Sequence, residues 1–310
     1  VNKEEANRVA RVIGSMLILA MSLLVLAGVL ATPLLIDLIA PGFKGIKRDA
    51  TIQMVRIMFP GVGILVFSAW CLGILNSHRR FFLPYAAPIL WNLAMIAALV
   101  GFGGRMQAYD LAETVAWGSV VGSLLQFGVQ IPSVLRLAGR IRFQIDTVSV
   151  HIKTVIRNFI PGVAGRGVNQ LSSYIDVTLA SLLSAEGAVA ALAYTQTIYL
   201  LPVSLFGMSI SNAELPEMAS QAGSQETIAA ALRERLRSAK QRVIFFIIPS
   251  TAAFLAIGDS IAALLYQTGK FTHANAEYLW AVLAGYTVGL QAATLGRLYT
   301  SAFWALRDTR

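Results

Sequence analysis

The sequence predicts an all-α, polytopic membrane protein, and three observations predict it. Eight long apolar stretches fill most of the 310 residues. Only 13% of the residues are charged, where a soluble domain averages about 25%. Almost all of the positive charge lies in the short gaps between the apolar stretches. A span needs about 20 mostly apolar residues to cross ~30 Å of hydrocarbon. In lipid only helices and closed barrels satisfy their own backbone hydrogen bonds, and continuous apolar runs without period-2 alternation select helices.

The first span, 12–39, follows a charged amphipathic piece and closes at Ala40-Pro41-Gly42-Phe43. The second, 54–77, carries Arg56 near its outer end, where a long cationic side chain snorkels to the interface. Its lone Cys71 reads as core packing, since no disulfide or zinc spacing exists. Spans three and four run over 82–103 and 111–135, and spans five and six over 155–184 and 187–213. A polar segment at 224–240 reads as a separate helix connecting two bundles. Ser224 is placed to cap it, Ile228, Ala231, Leu232 and Leu236 form an apolar stripe, and Arg233, Arg235, Arg237 and Lys240 supply charge. It fits a membrane-surface helix and a plain soluble one alike. Spans seven and eight run over 241–258 and 278–305. Trp70, Trp91, Trp117, Trp280 and Trp304 read as packing or interfacial anchors.

The net charge of +9 is explained by orientation rather than by nucleic acid. One alternating set of segments outside the spans (1–11, 78–81, 136–154, 214–240 and 306–310) holds most of the arginines and lysines. The other set holds only Lys44, Lys47, Arg48, Arg105 and Lys270. The first set, with both ends of the chain, is therefore expected in the cytoplasm.

Two turns suggest an internal repeat: Ala40-Pro41-Gly42-Phe43 after span one and Thr268-Gly269-Lys270-Phe271 after span seven, about 228 positions apart. Leu75 to Arg80 and Leu306 to Arg310 follow nearly the same offset. Spans one and two then match seven and eight, and the chain is expected to be the middle eight helices of two six-helix bundles related as parallel repeats. The bundles divide as 1–145, with four spans, and 146–310, with four more and the connector at about 224–240.

Span five is polar on one side. Arg166, Asn169, Gln170, Ser173 and Asp176 fall within an arc of about 120° at 100° per residue. Such a stripe either lines a cavity that meets a polar or anionic substrate or bonds neighbouring helices together. Span six carries Tyr194-Thr195-Gln196-Thr197 and then Pro202, which removes a backbone donor and is expected to kink the helix. Arg297 is a second intramembrane cation and a cavity candidate. His78, His151 and His273 lie in loops or at span edges, and no DxxD, HExxH or Walker pattern occurs. That pattern points away from an enzyme or an ATP-driven pump.

Several runs resemble the MurJ (MviN) family: Ala40-Pro41-Gly42-Phe43, Arg56 to Pro60, Leu75-Asn76 with Arg80, Pro84 to Pro88 with Asn92, Leu201-Pro202 with Gly207, Leu215-Pro216, Gly269 to Thr272, and Ala302 to Leu306 followed by Asp308-Thr309. Gln170 and Asp176 belong with them. The resemblance covers nearly the whole chain in order. It implies the inverted-V fold of the multidrug/oligosaccharidyl-lipid/polysaccharide exporter superfamily, with this chain as the third to tenth helices. It implies a flippase that carries lipid II across the bacterial inner membrane by alternating access, using a cationic cavity for the diphosphate. Asp176 matches the acid of the family's sodium site. Membrane lipids and other cell-wall synthesis proteins are implied as partners. One departure stands out: Gln196 and Thr197 occupy the places of an acid and an arginine in the family's run. Arg166 and Arg297 are then expected to hold the diphosphate. The departure leaves open an exporter of another lipid-linked glycan or of a drug, and a non-transporting membrane scaffold.

Overall fold

The computed structural model describes residues 3–139, 167, 170–183, 185, 187–219 and 225–305. The described residues form no strand. The chain divides into two compact units, Val1–Leu182 and Leu183–Arg310. The bundle boundary read from the sequence at 145/146 lies outside the described residues.

The first unit holds α1 (Lys3–Ile39), α2 (Gly45–Ser77), α3 (Phe82–Ala86), α4 (Pro88–Phe102), α5 (Ala108–Ala138) and a helical stretch at 170–182, here α6. Helix α2 packs against α1 and α5, and α4 packs against α5. Small residues permit these approaches, as expected where no hydrophobic effect drives helices together in lipid. A Cβ at Gly122 would meet the Trp91 backbone at 2.8 Å, and the Trp91 indole N–H donates to the Ser119 carbonyl at 3.1 Å. Between α2 and α5 the Ser68 hydroxyl accepts from the amides of Gln126 at 2.9 Å and Gln130 at 2.7 Å. Cys71 is buried in this core, as the sequence suggests. Helix α6 joins the unit at the end of α1: the Thr178 hydroxyl donates to the Ile39 carbonyl at 2.9 Å, and the Gly42 amide donates to Ser181 Oγ at 3.4 Å.

The second unit holds α7 (Ala188–Pro202), a π-helical turn (Val203–Met208), α8 (Ser209–Ala219), α9 (Gln225–Tyr266), α10 (His273–Val288) and α11 (Leu290–Ala305). Ile198, Val203, Val243, Ile247, Leu279, Leu283, Leu290 and Leu298 make its core. Buried Glu214 on α8 faces Arg235 and Arg242 of α9, each at 3.4 Å.

Three expectations change. Six described helices are long and apolar enough to cross a membrane, or seven if the bent pair His273–Val288 and Leu290–Thr300 counts as one span. Most of span five, 155–184, lies outside the described residues, so the count of eight is not reproduced. Span eight is not one straight helix: it bends by 46° around Gly289. Residues 225–240 are not a separate helix either. They are the first turns of the 42-residue α9, whose one non-helical residue is Ile257, far downstream. At 1.5 Å per residue such a helix is roughly 60 Å long, twice the hydrocarbon thickness, so its charged first turns extend beyond the apolar layer. The outward surface is what lipid requires: on α1, Leu23, Leu30 and Leu34 are each about 70% exposed.

Candidate functional site

In the second unit, irregular backbone and polar side chains coincide. Pro202 offers no N–H to the carbonyl one turn before it. The helix answers with a π turn directly after it, a feature frequent at functional sites. The π turn packs on α11, where a Cβ added at Gly207 would collide with the Thr294 methyl group. One helix further, the Gly289 amide turns back to the Tyr286 carbonyl at 3.0 Å and separates α10 from α11. Discontinuous helices of this kind carry binding sites in many transporters.

Between these breaks lies a polar cluster. The Gln196 amide on α7 donates to the Tyr286 hydroxyl on α10 at 3.5 Å. Tyr286 meets Tyr199 edge to face, with ring centroids 5.7 Å apart. The charge of Arg297 on α11 acts on the Tyr199 hydroxyl. Arg297 is exposed, and Gln196, Tyr199 and Tyr286 are half-buried. The Gln196 amide and the two phenol hydroxyls supply donors for an anion, and Arg297 lies within electrostatic range of Tyr199.

The residues read from the sequence divide among these places. Gln196 and Arg297 join the cluster through the two tyrosines. Thr197 does not: it is exposed, and its hydroxyl donates back to the Ala193 carbonyl at 3.0 Å. Gln170, Ser173 and Asp176 lie on α6 in the first unit, with Gln170 exposed and the other two half-buried. Arg166 and Asn169 lie outside the described residues. Arg56 does reach the backbone, donating from Nε to the Val29 carbonyl at 3.2 Å. It lines a cavity of about 550 Å³ at the start of α2, where Arg48 is paired with Asp37 at 2.6 Å and Gln53 donates to Glu113 at 2.9 Å. Tyr199 and Tyr286 were missed by sequence reasoning. Tyr199 stands three positions after Gln196, one helical turn along the same face, and that spacing was the available signal.

No group of three or more His, Cys, Asp or Glu side chains able to hold a metal occurs among the described residues. Among the described residues Asp176 belongs to no such group.

Long apolar helices, a broken span and a cation-bearing polar face together define a multi-pass membrane protein with the helical exporter fold. The same fold occurs in a solved structure described as "Lipid II flippase MurJ, inward closed conformation", with a TM-score of 0.83 and 21% identity over 99% of this chain and 62% of that one. It occurs also in "Inward-facing conformation of a multidrug resistance MATE family transporter of the MOP superfamily", with a TM-score of 0.75 and 17% identity over 99% and 69%. The family model "Lipid II flippase MurJ" matches residues 1–310, and the chain belongs to that family. A relative from Rhizobium tropici, "Probable lipid II flippase MurJ", is 31% identical over 98% of this chain and 57% of its own length. The chain spans a little more than half the length of the curated relatives it matches.

Proposed function

We propose that this chain forms part of a transporter that flips lipid II across the bacterial inner membrane by alternating access, and that it performs no bond-making chemistry. The observation that carries the reading is the family match over all 310 residues. The polar cluster gives the reading a location: Arg297, within electrostatic range of Tyr199, would meet the diphosphate, and Arg166 would add a second cation. Asp176 would bind a sodium ion that helps to drive the cycle. Both ends of the chain would face the cytoplasm, since most of the arginines outside the spans lie on that side. Other cell-wall synthesis proteins would be its partners.

A second reading is favoured by one observation. Thr197 satisfies its hydroxyl within its own helix and offers no charge, where the family resemblance implies an arginine. An exporter of another lipid-linked glycan, or of a drug, accommodates that loss.

The test is rescue of a bacterium depleted of its own lipid II flippase. The complete gene is supplied as wild type, Arg166→Ala or Arg297→Ala. Rescue by the wild type alone supports lipid II transport through these cations. Rescue by all three removes the assigned roles while keeping the function. Failure of a well-expressed wild type rejects lipid II, leaving another substrate or a scaffold.

A further inference from the structure

At the far end of α2 the first unit holds a cavity of about 560 Å³ that takes no part in the polar cluster. Arg79 and Arg80, from the turn after α2, and Arg136, from the last turn of α5, line it together with Ser133 and Phe82. All three arginines are exposed, and among the described residues no carboxylate pairs with any of them. Three guanidinium groups gathered around one hollow, with no described carboxylate on any of them, favour an anion there.

The backbone adds a second observation. The turn closes α2 as a Schellman motif: the Arg80 amide donates to the Leu75 carbonyl at 2.9 Å and the Arg79 amide to the Asn76 carbonyl at 3.0 Å. That motif puts its penultimate residue in the left-handed region, where glycine is the usual choice. Here the position is Arg79, at φ 56°, and no other non-glycine among the described residues has a positive φ. A side chain is thus held at a position whose backbone disfavours one, beside two more arginines. Strain of this kind concentrates at ligand sites.

The surroundings identify the ligand class. The cavity opens where α2 and α5, each long and apolar enough to cross a membrane, end, and the ends of such helices meet the headgroup region. Phe81 and Phe82 next to it are 54% and 86% exposed, as aromatic rings at a membrane interface are. We propose that this cavity is a binding site for the phosphate of an anionic glycerophospholipid, with the three guanidinium groups on the phosphate oxygens and Phe82 against the acyl chains. The site goes beyond the proposed transport, and its lipid does not depend on which substrate crosses.

The experiment is lipid retention on the complete, detergent-purified protein, read by native mass spectrometry. Phosphatidylglycerol, phosphatidylcholine, undecaprenyl diphosphate and inorganic phosphate are titrated separately. The wild type is expected to retain phosphatidylglycerol at least about tenfold better than phosphatidylcholine, the discrimination expected of charge-assisted hydrogen bonds. Arg79→Gln, Arg80→Gln and Arg136→Gln combined are expected to abolish that preference. The corresponding triple lysine variant keeps part of it, and Arg105→Gln, in the loop after α4, keeps all of it. The lysine variant, carrying the same charge, also controls for folding. Equal retention by wild type and the triple glutamine variant overturns the proposal. So does binding of inorganic phosphate as tight as that of the lipid, or a loss confined to undecaprenyl diphosphate.

Discussion

Replacing Arg79 with glycine should tighten the turn that it removes a side chain from. The residue sits at φ 56°, and a side chain in the left-handed region costs about 1–2 kcal/mol. Glycine relieves that cost but gives the open chain more freedom, which returns about 0.5–1 kcal/mol. The relief is larger, so the turn should gain about 0.5–1 kcal/mol. Global melting averages over the whole protein and reports poorly on one turn. Local opening is better, because the Arg79 and Arg80 amides are the two donors that close the motif. Their hydrogen exchange should slow by roughly two- to fivefold in the Arg79→Gly protein. His78→Gly is the control. His78 has an ordinary φ of −94° and its ring Nδ1 lies 3.0 Å from the Ile74 carbonyl, so glycine there brings no relief and exchange should quicken. Unchanged or faster exchange in Arg79→Gly would refute the strain argument. The same substitution should weaken retention of an anionic lipid. Stability and binding moving in opposite directions separates stored strain from simple damage.

Gly42→Ala should cost about 2 kcal/mol or more, since its Cβ would overlap the Ser181 carbonyl where α6 meets α1; Gly73→Ala, in a helix and facing open space, should be neutral or slightly stabilising, and thermal stability in detergent compares the two. Arg235→Met with Arg242→Met leaves buried Glu214 without these partners and should destabilise by about 3 kcal/mol. Glu214→Gln should cost only about 1 kcal/mol, so equal losses in the same assay would show that the ion pairs do not hold α8 to α9. Thr197→Arg places a cation on an exposed position and should preserve or raise lipid II flipping in proteoliposomes, while abolished flipping would argue that the substrate is a different one.

Hydropathy made the spans legible because burial in lipid demands apolar residues along a whole helix, and six of the eight readings coincide with described helices that could cross a membrane. It failed where backbone and polarity part company. Residues 225–240 look like a separate element because charge begins there, yet the hydrogen-bond ladder runs on through α9 regardless of which side chains it carries. The break at Gly289 is invisible to composition, since both halves of the bent pair are apolar. Tyr199 and Tyr286 were hidden for a related reason: an aromatic ring in a span reads as packing until its hydroxyl is seen with a partner. Arg79 is the clearest case. A glycine in its place would have announced the left-handed turn, and an arginine conceals it.

Two turns at the spacing of the expected repeat close in the same way. The first turn is closed by the Phe43 amide on the Ala40 carbonyl at 2.9 Å, and the second by the Phe271 amide on the Thr268 carbonyl at 3.1 Å. Helix α2 starts at Gly45 and the α10–α11 pair at His273, so the two starts keep the offset of 228. Gly61 of α2 is then the counterpart of Gly289. At Gly61 the helix stays straight enough to press on α5, with Ser123 Oγ 3.2 Å from where a Cβ would stand. At Gly289 the equivalent helix breaks. The same register thus serves two ends. In the first unit the small residue permits close packing of continuous helices. In the second it interrupts the helix just after Tyr286, and irregular backbone is tolerated at membrane depth only where protein buries it or water reaches it. The polar cluster sits at this break, and that is the physical reason to look for the substrate there.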